Sequence, residues 1–166
     1  MKIEISKLNL ELQTRAKNNE AAIKEYAELM KDGATFPNVK VFRENKNATP
    51  YLVDGFHRTA ATVLNGGDTI EADIIYGDRA AALTYALKAN ADHGLRRTNA
   101  DKRHALEMAW KDREILFNGE MPSSRQLASL CCVSNFLTHD FIKEMRVLES
   151  NTTRPDATTC TEDHLE

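Results

Sequence analysis

No apolar run in this 166-residue sequence approaches the roughly 18–20 residues that a membrane-spanning helix needs. The first residues, Met1-Lys2-Ile3-Glu4-Ile5, alternate polar and apolar and lack a signal-peptide stretch, so the cytoplasm is the expected location. Cysteine is scarce: Cys131 and Cys132 are adjacent and Cys160 stands alone, a spacing that offers neither a disulfide framework nor a zinc site. Seven glycines and four prolines are too few for a fibrous or low-complexity chain. The sequence contains no Walker loop and no G-x-G-x-x-G fingerprint. It also lacks the clustered metal-binding carboxylates that nuclease chemistry normally needs, and no internal repeat is visible.

What is present suits a packed soluble fold. Hydrophobic residues make up 42% and charged residues 28%, enough for one ordinary domain or two small ones. The net charge of −3 is unevenly spread. Residues 149–166 hold five acids (Glu149, Asp156, Glu162, Asp163, Glu166) against Arg154 alone. Residues 88–104 hold Lys88, Arg96, Arg97, Lys102 and Arg103 against Asp92 and Asp101. Acidity is thus concentrated at the end of the chain and basicity in its middle.

The first 97 residues read as mixed α and β. A short strand at the start precedes a helix over 19–31, with Ile23, Tyr26, Ala27 and Met30 at helical spacing. Asn18 or Asn19 caps that helix and Gly33 ends it. Val39–Phe42 and Tyr51–Val53 read as paired strands, Phe56–Leu64 as a short helix and Ile70–Tyr76 as a further strand. Asp78–Asn90 is an Ala-rich helix broken at His93-Gly94. From Thr98 onward the pattern is all helix: one from a Thr98–Asp101 capping box to about Phe117, then two short ones over about 124–130 and 134–147. The expected class is α+β: a small mixed-sheet domain (1–97), a helical region (98–148) and a disordered acidic tail (149–166).

The segment Tyr51-Leu52-Val53-Asp54-Gly55-Phe56-His57-Arg58 carries chemistry. A strand runs into glycine and a helix starts at once, so free N–H groups and a partial positive charge are offered to an anion. Gly55 permits close backbone approach, while His57 and Arg58 add donors. Strand-Gly-helix junctions are also common without any ligand.

This segment resembles the Gly-x-x-Arg element shared by ParB N-terminal domains, sulfiredoxins and free-serine kinases. Leu12-Gln13-Thr14-Arg15 is similar to the Gln-x-Arg element near the start of ParB-like domains. Ala89 through Arg103 resembles a stretch of a phage and regulatory ParB-like subfamily that commonly adds a helix-turn-helix. The likeness spans roughly residues 3–147. It implies a ParB/sulfiredoxin-like fold and a phosphate or nucleotide pocket at Gly55, His57, Arg58, Asn90 and His93, holding CTP or ATP with Mg²⁺.

Asn90 is the one position matching a family metal ligand. Ala89 stands where the family has a Glu, and Asp92-His93 replaces Gln-Arg, which weakens the metal site and hydrolysis further; Asp54 or Asp92 are the available substitutes. Phe56 occupies the position of the sulfiredoxin cysteine, which excludes that covalent chemistry. A kinase would need a general base, for which Asp54 and Glu11 are candidates.

Ser124 through Ile142 matches a helix-turn-helix pattern, with small Ala128 at the helix crossing, Val133, Leu137 and Phe141 packing beneath, and Ser134 capping the second helix. Asn135, His139 and Lys143 would face a major groove, with Ser134 a further DNA contact at the start of that helix and Arg96, Arg97 and Arg125 near phosphates. Two departures stand out: Cys132 at the usual turn glycine, and Thr138 at a usual apolar position. The expected partner is double-stranded DNA, bound by a homodimer in a salt-dependent manner with no membrane involved. The alternatives are a packing hairpin for these helices and, for the whole chain, a nucleotide-dependent enzyme.

Overall fold

The computed structural model describes residues 1–92 and 96–152. Four strands, β1 (Lys2–Glu4), β2 (Val39–Arg43), β3 (Tyr51–Asp54) and β4 (Thr69–Tyr76), form one sheet in the order β1-β4-β2-β3. β4 lies parallel to β2, and the two outer pairings are antiparallel. The register sets Lys40 opposite both Asp54 and Asp73. Among the described residues seven α-helices complete the fold: α1 (Glu20–Lys31), α2 (Phe56–Leu64), α3 (Arg79–Asp92), α4 (Asn99–Lys111), α5 (Arg113–Leu116), α6 (Ser124–Cys131) and α7 (Asn135–Thr152). The class is mixed α+β, as the pattern of elements predicts.

Alternation along the strands divides the core between two faces. Val39, Val41, Leu52 and Ala72 join Ile3 and Leu8 in one cluster, against which Phe56 of α2 packs. Phe42 and Val53 point into the other, with Leu12, the Ala82-Leu83 and Ala86-Leu87 pairs of α3, and apolar residues of α4, α6 and α7. The alanines let α3 lie close to both the sheet and the later helices. Trp110 and Phe141 meet edge-to-face at 6.1 Å, bringing α4 and α7 together.

Local signals place the helix starts. The Asn19 side chain accepts from the Ala22 N–H at 3.1 Å. Thr98 and Asp101 form a reciprocal capping box, with the Asp101 carboxylate accepting from the Thr98 N–H at 2.9 Å. Asp101 also accepts from the Ala16 N–H at 3.0 Å and lies 3.5 Å from Arg15 Nη1. His104 Nε2 lies 3.1 Å from the Gln13 carbonyl. The 13–16 loop is therefore fastened to α4.

The boundaries differ from the sequence reading in two places. The helix expected to run to about Phe117 breaks at Asp112, whose carboxylate pairs with Arg79 of α3 at 2.9 Å. α7 continues to Thr152, four residues into the expected tail, because Glu149 accepts from Trp110 Nε1 at 3.0 Å and pairs with Arg113 at 3.0 Å. The remainder of that tail, 153–166, lies outside the described residues.

Burial pushes the Asp101 carboxyl up, yet the Thr98 and Ala16 N–H groups, the Thr98 hydroxyl and Arg15 outweigh it and hold the group below the ordinary carboxylate value. A carboxylate depressed in the folded state stabilises above its unfolded pKa of about 3.9, and that contribution is lost as pH falls through the folded value. Asp101→Asn is expected to cost about 2–3 kcal/mol at neutral pH. Urea unfolding from pH 7 to pH 2 should show the difference between the two proteins shrinking below about pH 4.

Candidate functional site

A cleft of about 550 Å³ opens where β3 turns into α2; its walls include Gln13, Arg15, Phe36, Asn38, Lys40, Asp54, Gly55, His57, Arg58 and Asp73. Gly55 adopts φ +103° and is the residue before the first turn of α2. A Cβ there would sit 2.5 Å from Val39 Cγ1, so the turn is closed to any side chain. The first helical bond runs from the Thr59 N–H to the Gly55 carbonyl at 2.9 Å. The Phe56, His57 and Arg58 N–H groups precede it and have no partner within the helix.

The cations of the cleft are closely matched by acceptors. Arg58 Nη2 donates to Asp54 Oδ2 at 2.9 Å. Its Nη1 donates to the Pro37 carbonyl and, at 2.9 Å, to the Asn38 carbonyl, pinning the loop before β2. Asp73 accepts from Asn38 Nδ2 at 2.8 Å. Lys40, in the same cross-strand row as Asp54 and Asp73, is held above the ordinary lysine value chiefly by its hydrogen bond with Tyr85. Burial lowers the His57 pKa and repulsion from Arg15 lowers it further, with Asp101 offsetting part. His57 is accordingly neutral near pH 7, and its Nε2 accepts from the Asn19 N–H at 3.3 Å.

On the far side of the second core cluster, α6 and α7 are joined by Cys132-Val133-Ser134. Cys132 takes the left-handed conformation at φ 50° and ψ 52°, the strain that a residue other than glycine brings to this turn. Ser134 Oγ accepts from the Leu137 N–H at 3.3 Å and caps α7. Thr138 is buried and its hydroxyl donates to the Ser134 carbonyl at 3.1 Å, which accounts for a polar residue at an inward position. Burial pushes the Cys131 thiol up to about 12, so it is an inert packing group.

No protein-family model matches the chain. A Pnob8-like ParB-N domain superposes on 92% of this chain and 69% of its own, with a TM-score of 0.56 at 14% identity. The C-terminally truncated chromosome-partitioning protein ParB from Caulobacter crescentus, solved in complex with the centromeric parS site, superposes on 89% of this chain and 71% of its own, with a TM-score of 0.50 at 16% identity. The fold is ParB-like. Among curated proteins, a "Streptomycin biosynthesis operon possible regulatory protein" of Streptomyces griseus is 32% identical over 93 residues, covering 52% of this chain. The chain spans about a quarter of that relative's length, 25%.

Within this ParB-like fold the expected pocket residues Gly55, His57 and Arg58 meet in the cleft. Asn90 falls near the end of α3, and His93 lies outside the described residues. Glu11, a candidate base, is held by Arg79 at 2.7 Å. No group of three His, Cys, Asp or Glu side chains that would hold a metal ion occurs among the described residues. Of the expected DNA contacts, Arg96, Arg125, Ser134, Asn135, His139 and Lys143 are exposed. Arg97 turns inward instead: its Nη2 donates to the Cys131 carbonyl at 2.9 Å and the Cys132 carbonyl at 2.6 Å, closing the end of α6. Lys40 and Asp73 had no marker in the sequence, because only the strand register brings them to the cleft. Arg15 did have one, in the Gln-x-Arg element.

Two substitutions test these left-handed turns in opposite directions. Gly55→Ala should lower stability by about 2–4 kcal/mol, through left-handed strain and overlap with Val39. Cys132→Gly should raise it by about 0.5–1 kcal/mol, as relief of the same strain exceeds the added chain entropy of glycine. Denaturant midpoints at constant m-value read both.

Proposed function

We propose that this protein is a DNA-binding regulatory or partition-type protein, in which α6 and α7 act as a helix-turn-helix and the Gly55 cleft holds the phosphates of a nucleotide. The observation that carries the reading is the extent of the fold likeness: it takes in 92% of the chain, the helical region as well as the sheet domain. The ParB from Caulobacter crescentus is bound to the parS site, and the curated relative is described as a possible regulatory protein.

The physical features of α7 agree with this role. Its first two turns present Asn135 and His139 outward, its side-chain cap leaves the positive end of the helix facing solvent, and Lys143 and Arg125 supply charge nearby. Asn pairs in bidentate fashion with adenine, and lysine or arginine with phosphate or guanine. A homodimer would give two such helices the combined affinity that one module lacks.

For the cleft, the fit to phosphate rests on Gly55, where a Cβ has no room, and on the free N–H groups of the first turn of α2. The carboxylates do not gather as a metal set, since Asp54 is engaged by Arg58 and Asp73 by Asn38. A bound CTP or ATP would supply its own phosphates as the metal's ligands. The role of the chain is then to bind and orient the nucleotide, with Lys40 on the cleft wall balancing part of its charge.

Fluorescence anisotropy on a duplex selected from random sequence is expected to show binding that weakens steeply with salt. Asn135→Ala combined with His139→Ala should weaken it by tenfold or more, and Lys143→Ala should reduce the salt slope by about one. Unchanged affinity in the double variant would contradict the α7 assignment. Separately, CTP or ATP with Mg²⁺ at a hundred times Kd should stabilise the protein by about 2.7 kcal/mol. That ligand-dependent shift should vanish in Arg58→Ala, each variant being compared with its own ligand-free melt. No shift with either nucleotide would contradict the cleft assignment.

A further inference from the structure

Phe136 is 79% exposed, more than any other large apolar side chain of the described residues. It belongs to the first turn of α7, directly after the Ser134 cap and beside Asn135. Its neighbours of opposite facing are accounted for: Thr138, Phe141 and Ile142 are buried, and Leu137 packs half-buried on the same cluster. Among the described residues nothing covers the Phe136 ring. An isolated exposed phenylalanine gains nothing from folding, and this one stands in a polar setting of Asn135, His139, Asp140 and Lys143.

We infer that Phe136 is a specificity-determining residue that reads a thymine by packing its ring on the C5-methyl group in the major groove. The inference rests on the DNA-binding role proposed above and extends it to one base. The thymine methyl is the apolar feature that the major groove displays, and phenylalanine is among the side chains suited to it. The residues that reach base edges are those at the start of the second helix of such a motif, where Phe136 stands. Its setting favours duplex DNA over a second copy of the chain as the occupant. The ring is flanked by hydrogen-bonding groups at a positive helix end, with Arg125 exposed on the preceding helix. The other exposed apolar side chains of α7, Val147 and Leu148, lie about three turns away and do not adjoin it as a dimer patch would. Asn135 next to it is suited to adenine, so the pair would favour sites in which an A·T pair lies at or beside the Phe136 contact.

The test uses the full chain and a duplex it selects from a random pool. Each thymine of that duplex is replaced in turn by deoxyuridine, which removes only the methyl group. At one position the wild-type protein should lose about 3- to 5-fold in affinity, the worth of one buried methyl. Phe136→Ala should bind the unmodified duplex more weakly by a similar factor or more, keep the same salt slope, and become indifferent to deoxyuridine at that position. Its thermal melt should match the wild type, since the side chain is exposed. The inference is overturned if Phe136→Ala binds the selected duplex as tightly as wild type. It is equally overturned if the variant keeps the wild-type methyl effect, or if it lowers the oligomer mass in sedimentation, which would make Phe136 a subunit contact. Those outcomes leave the DNA-binding reading standing. Failure of the wild-type chain to bind any duplex would overturn both.

Discussion

Asp101 is a buried carboxylate that accepts from the Thr98 and Ala16 N–H groups and pairs with Arg15. An unpaired charge at that depth would be strongly unfavourable, so its partners are obligatory rather than incidental. Because the partners come from the start of α4 and from the 13–16 loop, the carboxylate fixes the position of one relative to the other. That loop contributes Gln13 and Arg15 to the cleft wall. α4 in turn packs on α6, whose last carbonyls are closed by Arg97. The geometry of the cleft and that of the α6–α7 face are thereby set on one continuous body, with the second core cluster running through it.

The two faces solve opposite electrostatic problems. In the cleft, formal charges are nearly cancelled within the protein: Asp54 takes Arg58, Asp101 takes Arg15, and His57 is kept neutral by burial. What remains there to meet an anion is the set of N–H groups at the start of α2, a diffuse positive site, with Lys40 on the same wall. On α7 the acids toward its end are held from α4 and the segment after it, Glu144 by Arg103 at 2.7 Å and Glu149 by Arg113 at 3.0 Å. Asn135, His139 and Lys143 instead stay in solvent, with only a weak approach of His139 to Asp140 at 3.7 Å. Such side chains keep their hydrogen-bonding capacity for a partner, at the cost of the rotamer freedom they lose on binding.

Features fixed within a few residues were legible in the sequence. The Thr98–Asp101 box, the Gly55 turn and the left-handed Cys132 are local decisions that side-chain chemistry dictates, and each occurs at the position read from the pattern. The first helix takes Asn19 of the two caps open to it, Asn18 and Asn19. What was hidden depends on contacts distant in sequence. Basic residues beside a helix start read as phosphate ligands, yet Arg97 meets carbonyls 34 and 35 residues away. Glu149 looked like part of an acidic tail until Trp110 and Arg113 gave it partners. The Asp54–Lys40–Asp73 row needs two strand registers at once, one of them parallel and set by a crossover, and no local pattern encodes that.

Native-state hydrogen exchange tests most directly whether Asp101 makes the sheet domain and the helical region a single body. The amides to follow are Ala16, bonded to Asp101, Val41 in the sheet and Leu127 in α6. The account predicts one shared opening free energy for Val41 and Leu127 in the wild-type protein, with the Ala16 amide also protected. In Asp101→Asn, protection of the Ala16 amide should fall first and most. Separate opening energies for the sheet and for α6 in the wild type, or an Ala16 amide indifferent to the substitution, would contradict it.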